Sequence, residues 1–407
     1  MRLLHTSDWH LGQRFINQER IQEHEMALEW LLEIIKDRHI DVLVVSGDIF
    51  DTFNPSNSAQ QLYYNFLVKL STTKCQYTII IGGNHDSPSM LEAPKALLEV
   101  LKIHVVGAAP KEKEEAVFSL KGEDGKTVAI VAAIPFLRDR DLVFAYEGES
   151  GVDRIVKIRN AIKNHFETTG EICNTLKEQN VPVIGTGHLF AFGANTAEKQ
   201  NNIYIGDEAN IRIEEIPPVF DYVALGHIHR PQAIGGKENV RYSGSIIPLD
   251  FSEVADPKEV VLVDFEGDQI KKIDRIPVPT FRRLKSLSGS IEDLYKRMEA
   301  FSNRHKEELT PWIELIVEDE SIPIDIDKEF RTFAEGLHLE ILRVRISRPK
   351  NQHEKLSVIH QNLSDLDVLD VFRQKCERAS LPEEQQKEME SLFLEARDLL
   401  NQIAEED

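Results

Sequence analysis

The 407-residue sequence has only three cysteines, Cys75, Cys173 and Cys376. They lie far apart, which excludes a CxxC metal knuckle and argues against a disulfide framework. No run of about 18 apolar residues is present to span a membrane, and no apolar leader opens the chain. Positive charge is scarce too: 48 Lys and Arg stand against 69 Asp and Glu, a net charge of −21. That balance argues against non-specific nucleic-acid binding by the whole surface. It leaves room for a local basic groove, or for a partner that brings the positive charge. Internal repeats are missing, as are low-complexity tracts other than the acidic end. What is there is 41% hydrophobic, enough for one large domain with one or two smaller ones. The expectation is a soluble protein of a reducing cytoplasm.

The first 270 residues alternate short apolar runs with amphipathic stretches, the signature of an α/β layered fold. Strands are expected at 3–7, 41–46, 77–81, 128–134, 181–186, 222–225 and 259–265. Helices are expected at 21–36, with Met26, Leu28, Leu31, Leu32 and Ile35 near 3.6 spacing, and at 59–70, with Leu62, Tyr63, Phe66, Leu67 and Leu70 on one stripe. Around 276–290 the pattern breaks at Pro277 and Pro279, which marks a domain boundary. A smaller rhythm follows: helix 291–304, strand 312–318, helix 326–335, strand 339–347. After Pro349 the chain turns polar and helical. Three parts result: 1–275, 276–348 and a tail at 349–407.

The chemistry lies at the strand ends. Asp8 and His10 follow the first strand, Asp48 and Asp51 the second, Asn84 and His85 the third. His188 follows the fifth, and His227 and His229 the sixth. Taken alone, Asp8 and His10 read as an ordinary loop, GNHD as either a turn or a site, and His188 as a core or surface histidine. Together they place metal ligands at the edge of an open α/β sheet where ligands bind. Residues two apart on an extended chain point the same way, so Asp8/His10 and His227/His229 can each aim at one cluster. The set holds carboxylates, imidazoles and one amide but no thiolate, which favours Mn2+ or Fe2+, and Zn2+ less. It exceeds what one ion needs, so two divalent metals sharing a carboxylate are expected.

In chain order these motifs, D-x-H, GD-x-x-D, GNHD, GH and GH-x-H, resemble the calcineurin-like metallophosphoesterases. The stretches HTSDWHLG (5–12), VSGDIFD (45–51), GNHDSP (83–88) and LGHIHRPQ (225–232) resemble the SbcD family of bacterial nuclease subunits within them. The likeness is clear over the first 270 residues and looser beyond. It implies a metallophosphoesterase β-sandwich flanked by helices, a small α+β capping domain over the active site at 276–348, and a helical tail. It implies one metal on Asp8, His10, Asp48 and His229 and a second on Asp48, Asn84, His188 and His227, with Asp48 as the bridge and water as the nucleophile. His85 would assist the leaving oxygen, and Asp51 is placed where relatives carry the carboxylate that orients this histidine. The implied activity is Mn2+-dependent hydrolysis of DNA, as exonuclease on duplex ends and endonuclease on single strands or hairpins, with a coiled-coil ATPase of the SbcC kind. The implied assembly is a homodimer within a heterotetramer, paired through the helix at 59–70 and the helices near 91–101. A small-molecule phosphodiesterase would need the same motifs but not the residues beyond 276, and a silent scaffold would have lost ligands.

Phe190 and Phe192 follow a ligand and either line a substrate channel or form a local hydrophobic plug. Arg14, Arg230 and Arg241 lie near motifs and either touch phosphate or are simply solvated. In the tail, Ser380, Pro382 and Glu383 read as a helix start with a capping box. Met389, Leu392, Phe393, Ala396, Leu399, Leu400 and Ile403 then recur at spacings of three and four. Such a stripe belongs in the chain's own core or in a groove on a partner; the resemblance implies docking on the base of the ATPase's coiled coil.

Overall fold

The computed structural model describes residues 1–142, 151–191, 211–304, 308–319, 323 and 325–347. Within Met1–Ser347, a single compact unit, two six-stranded sheets pack face to face. The first runs Gln269–Pro277, Glu259–Glu266, Arg2–Thr6, Val42–Ser46, Tyr77–Ile81, Ile103–Val106. The second runs Gln232–Ile234, Lys237–Tyr242, Tyr222–Gly226, Val183–His188, Thr127–Ala132, Val117–Lys121. Four adjacent strands are parallel in each.

The central strands are buried on both faces, so they read as nearly unbroken apolar runs. Alternation then divides each strand between two cores. Leu3, Val42, Val44, Ile79 and Ile81 face the second sheet, where they meet Ala129, Val131, Ile184, Tyr222 and Ala224. Leu4, Leu43, Val45 and Ile80 face outward. There they pack on Leu28, Leu31 and Leu32 of the helix Ile21–Asp37 and on Phe66, Leu67 and Leu70 of the helix Asn57–Ser71. Ser56 starts the latter by accepting the Ala59 N–H at 3.2 Å, a cap worth about 1 kcal/mol. The second sheet is covered by the helix Gly151–Leu176 through Ile158, Ile162, Phe166 and Cys173. No helix among the described residues is long and apolar enough to cross a membrane.

The stretch 276–290, expected as a boundary, lies inside that one compact unit. It contains the strand Leu284–Gly289, which pairs in parallel with Trp312–Val317, itself parallel to Glu340–Ile346. Its Ser and Gly content hides it from pattern reading, because half of a two-faced edge strand carries no apolar signal. The helices Ile291–Arg304 and Ile326–Ala334 cover one face through Leu294, Met298, Phe301 and Phe330. The opposite face leans on the larger sandwich where Leu284 and Trp312 meet Phe15 and Phe251. Beside that contact, Glu23 is buried between Arg20 (3.0 Å) and Arg282 (2.9 Å), and the Arg282 guanidinium lies 4.1 Å from the Trp312 ring centre. Removing one member of such a buried set costs about 3–5 kcal/mol. The segment 291–347 is therefore anchored to the sandwich by a specific joint.

Candidate metal centre

Both sheets present the C-terminal ends of their parallel strands at one edge, and the ligand-bearing loops meet there. Val183–His188 extends two residues past its expected end, so His188 closes the strand and pairs with Gly226. The loops brace one another through their backbones. Asp8 N–H donates to Gly47 O and His10 N–H to Asp48 O, each at 3.0 Å. Across the sandwich, His227 N–H donates to Asp8 Oδ1 at 3.0 Å. Close approach explains two glycines: a β-carbon on Gly83 would overlap the Asp48 carboxylate, and one on Gly226 would strike the Ser46 carbonyl and the His188 ring.

Among the described residues the side chains converge in three groups, each with ligating atoms within 4.8 Å of one another: Asp8, His10 and His229; Asp48, His188 and His227; and His10, Asp51 and His85. Asp48 Oδ2 stands between the first two, 3.5 Å from His10 Nε2 and 3.2 Å from His188 Nε2. Asn84 Oδ1 joins the second group at 3.1 Å from His188 Nε2. All seven expected ligands are thus brought together.

The imidazoles are pre-set from behind. His188 Nδ1 donates to Ser46 O at 2.9 Å, His10 Nδ1 meets Asp51 Oδ1 at 3.1 Å and His229 Nδ1 meets Glu253 Oε1 at 2.8 Å. Each bond turns Nε2 toward the cluster, the arrangement used for histidine metal ligands. His10 Nε2 is buried and has no hydrogen-bond partner. The electrostatics agree. Burial opposes charge on His10 and His188, but the Asp51 hydrogen bond and the Asp48, Asp51 and Asp8 carboxylates lift His10 to about 9, and Asp48 lifts His188 to about 9. Burial likewise opposes ionisation of Asp48, yet the His188, His10 and His85 rings hold its carboxyl well below the usual range. His227 goes the other way, held well below its usual range by burial and then by the His188 ring, so the carboxylates favour positive charge at His10 and His188 but not at every imidazole. Divalent cations satisfy that demand with the imidazoles neutral, so the clustered carboxylates and imidazoles fit metal ions.

Asp51 lies beside His85 as expected, its carboxylate within 4.8 Å of ring nitrogens of both His10 and His85, but its hydrogen bonds divide between them. The Asp51 carboxylate pairs with His10, while His85 Nδ1 donates to the backbone carbonyl of Asp51 at 2.8 Å. Asp51 thus holds both histidines, each with a different atom. Pattern reading also passed over three supporting residues. Asp86 is fully buried and accepts the N–H groups of Gly83 (2.8 Å), Phe50 (2.9 Å) and Ile49 (3.1 Å), tying the Asp48 loop to the Asn84 loop. Burial first, then the Asp48 charge, raises its pKa to about 6. Asp86 was legible in GNHD; Glu253 and Lys258, behind His229, carry no local signal. Burial opposes the Glu253 charge, but the His229 bond and Lys258 hold its carboxyl well below the usual range.

The substrate candidates separate. Phe190 is 5% exposed and meets the His227 ring edge-on at 4.3 Å, which is the plug reading. Arg241 is buried beside Glu238 and Glu259. Arg230 pairs with Asp256 at 2.9 Å, and Arg14 is exposed on a short ribbon. Phe192 and the stripe from Met389 to Ile403 lie outside the described residues.

Comparison with known proteins agrees with this geometry. A family model described as calcineurin-like phosphoesterase matches residues 1–231, and one described as type 5 capsule protein repressor C-terminal domain matches residues 280–380. Among curated relatives, the SbcD subunit of nuclease SbcCD from Escherichia coli (strain K12) is 35% identical over 394 residues, 97% of each chain. Its namesake from Rhodobacter capsulatus is 32% identical, covering 86% of this chain and 88% of its own. The Bacillus subtilis (strain 168) one is 30% identical over the full length of both. A metallophosphoesterase centre, a second small sheet and relatives of matching length lead to one assignment: the chain belongs to the SbcD family of SbcCD nuclease subunits.

Proposed function

We propose that this chain hydrolyses DNA phosphodiesters as the nuclease subunit of a complex with an SbcC-like ATPase. The observation that carries the reading is the Asp48 carboxylate standing between His10 and His188, the position of a ligand shared by two ions. Asp8, His10, Asp48 and His229 would hold one ion, and Asp48, Asn84, His188 and His227 the other; Mn2+ is the expected metal. The chemistry such ions would supply is activation of a water as nucleophile at neutral pH and withdrawal of charge from the phosphodiester. The protein supplies the rest. Asp8 and Asp48 provide fixed negative charge, and the bonds to Asp51, Ser46 and Glu253 keep three imidazoles aimed inward. His85, whose Nδ1 is held by the Asp51 carbonyl, has Nε2 left to exchange a proton with the leaving oxygen.

Residues 1–275 form the nuclease domain in this reading, 276–348 a cap that positions DNA, and 349–407 the ATPase-binding tail. The separate core under Leu294, Met298 and Phe330 supports the second division. Exposed Val68, Leu97, Val100 and Leu101 support a homodimer through their helices, and the cytoplasm is the expected compartment. The deciding test is cleavage of linear duplex and hairpin DNA in Mn2+, with and without the ATPase, for the wild type, Asp48→Ala and His85→Ala. Asp48→Ala is expected to lose metal and cleavage together. His85→Ala should keep both ions and lose about 10²–10⁴-fold in rate. Full cleavage by Asp48→Ala, or metal loss in His85→Ala equal to that in Asp48→Ala, sinks the assignment.

A further inference from the structure

We infer that Glu253 and Lys258 are positioning residues that lock His229 into one of the two cation sites, an inference that rests on the two-ion reading above. His229 is the most exposed of the paired ligand histidines: its side chain is 17% accessible, against 3% for His10 and 0% for His188. Packing alone holds it less firmly, so its direction depends more on bonds.

Those bonds form a closed circuit. His229 Nδ1 meets Glu253 Oε1 at 2.8 Å, and Glu253 Oε2 accepts from Lys258 Nζ at 2.7 Å. Lys258 Nζ returns to the His229 backbone carbonyl at 3.0 Å. One carboxylate–ammonium pair therefore grips both the ring and the main chain of the same ligand. Every donor of the ammonium is used, the last by Ser245 Oγ at 2.7 Å. Glu253 Oε2 also accepts the Leu249 N–H at 3.0 Å. The one-turn helix Phe251–Glu253 is fixed in turn by Asp250, whose side chain accepts the Ser252 N–H at 2.8 Å.

A carboxylate on Nδ1–H sets the tautomer, so that Nε2 offers its electron pair, and it raises the basicity of the ring. The pair is a poor choice for stability alone, because burying both charges costs about what their attraction returns. Its geometry makes sense as a clamp on His229.

The test is calorimetric titration of Mn2+ into the full-length wild type, Glu253→Gln, Glu253→Ala and Lys258→Met, with a melting temperature for each. The wild type should take two ions. Glu253→Ala and Lys258→Met should weaken one site about 10–100-fold, the cost of losing such a partner, and leave the other near its wild-type affinity. Glu253→Gln keeps the volume and one acceptor for Nδ1–H, so it should lose less at that same site. If Glu253→Ala does not fold, Glu253→Gln decides. Two unchanged sites in the folded variants overturn the inference, and so does equal weakening of both sites alongside a lower melting temperature in Glu253→Gln. A wild type that binds no Mn2+ overturns the two-ion reading itself, and this inference with it.

Discussion

Asp51→Asn separates two accounts of how the site is held. The Asp51 carboxylate lies 3.1 Å from His10 Nδ1, and its backbone carbonyl lies 2.8 Å from His85 Nδ1. The substitution leaves the carbonyl in place, so His85 stays where it is. At His10 the amide oxygen still accepts the Nδ1–H, but the negative charge behind the ring is gone. Losing an outer partner of a ligand costs about 10–100-fold in metal affinity, or about 1.4–2.7 kcal/mol. Were the carboxylate instead the group that orients His85, the loss would fall on the chemical step, at about 10²–10⁴-fold. Nuclease rate measured against Mn2+ concentration at saturating DNA tells the two apart. Because the amide still accepts the Nδ1–H, Asp51→Asn should move the midpoint toward higher Mn2+ by less than the about 10–100-fold of losing the partner outright, and keep a plateau within about threefold of wild type. His85→Ala should lower the plateau at an unchanged midpoint. An Asp51→Asn plateau as low as that of His85→Ala, at every Mn2+ concentration, would refute the geometry described above.

Other consequences can be checked as directly. Gly226→Ala drives a β-carbon into the Ser46 carbonyl and the His188 ring, so it should lower the melting temperature and abolish Mn2+ binding, read by thermal scanning and calorimetry. His165 is buried, and burial first, then Lys113, lowers its pKa to about 4. The unfolded chain takes up a proton below about pH 6.5 that the folded chain refuses, so stability falls as pH drops from 6.5 toward 4, by about 2 kcal/mol at pH 5. His165→Gln should flatten that part of the urea-denaturation profile, and an unchanged slope refutes the assignment. In the tail, Leu392→Glu with Leu399→Glu should break co-purification with the ATPase without lowering the melting temperature of the isolated chain; unfolding would mark the stripe as core.

The centre was legible because its ligands are polar residues set directly behind apolar strands, where nothing in core building calls for them. Asp48, Asn84 and His188 each stand at the end of a run that one-dimensional pattern detects. Orientation was another matter. Whether Asp51 turns its carboxylate or its carbonyl toward His85 depends on a backbone direction that GD-x-x-D does not encode. Glu253 and Lys258 stayed hidden because they come 24 and 29 residues after His229 and meet it only in three dimensions. The strand Leu284–Gly289 was missed for the opposite reason: it is local, but its Ser and Gly residues imitate a linker.

The backbone at the centre shows why these loops need so much support. Asp8, His10 and Asp48 sit in the left-handed region, at φ 52, 47 and 50, and His227 has φ 101. Such conformations cost about 1–3 kcal/mol each for residues other than glycine and persist only where the surroundings over-determine them. Here the surroundings are the cross-loop bonds from Asp8 to Gly47 and from His10 to Asp48, the Asp8 carboxylate on His227 N–H, and the three donors gathered by Asp86. The same loops crowd carboxylates and imidazoles out of water, a second cost borne at one end of the sandwich. Neither cost helps the chain fold, and the two buried cores beneath must offset both. The strands that feed the site are accordingly buried, with Leu3, Leu4, Val44, Val45, Ile79, Ile80 and Ile81 all at 0% exposure. An isoleucine-rich strand ending in Asn84 and His85 is therefore a single device: the apolar run anchors what the polar tip strains.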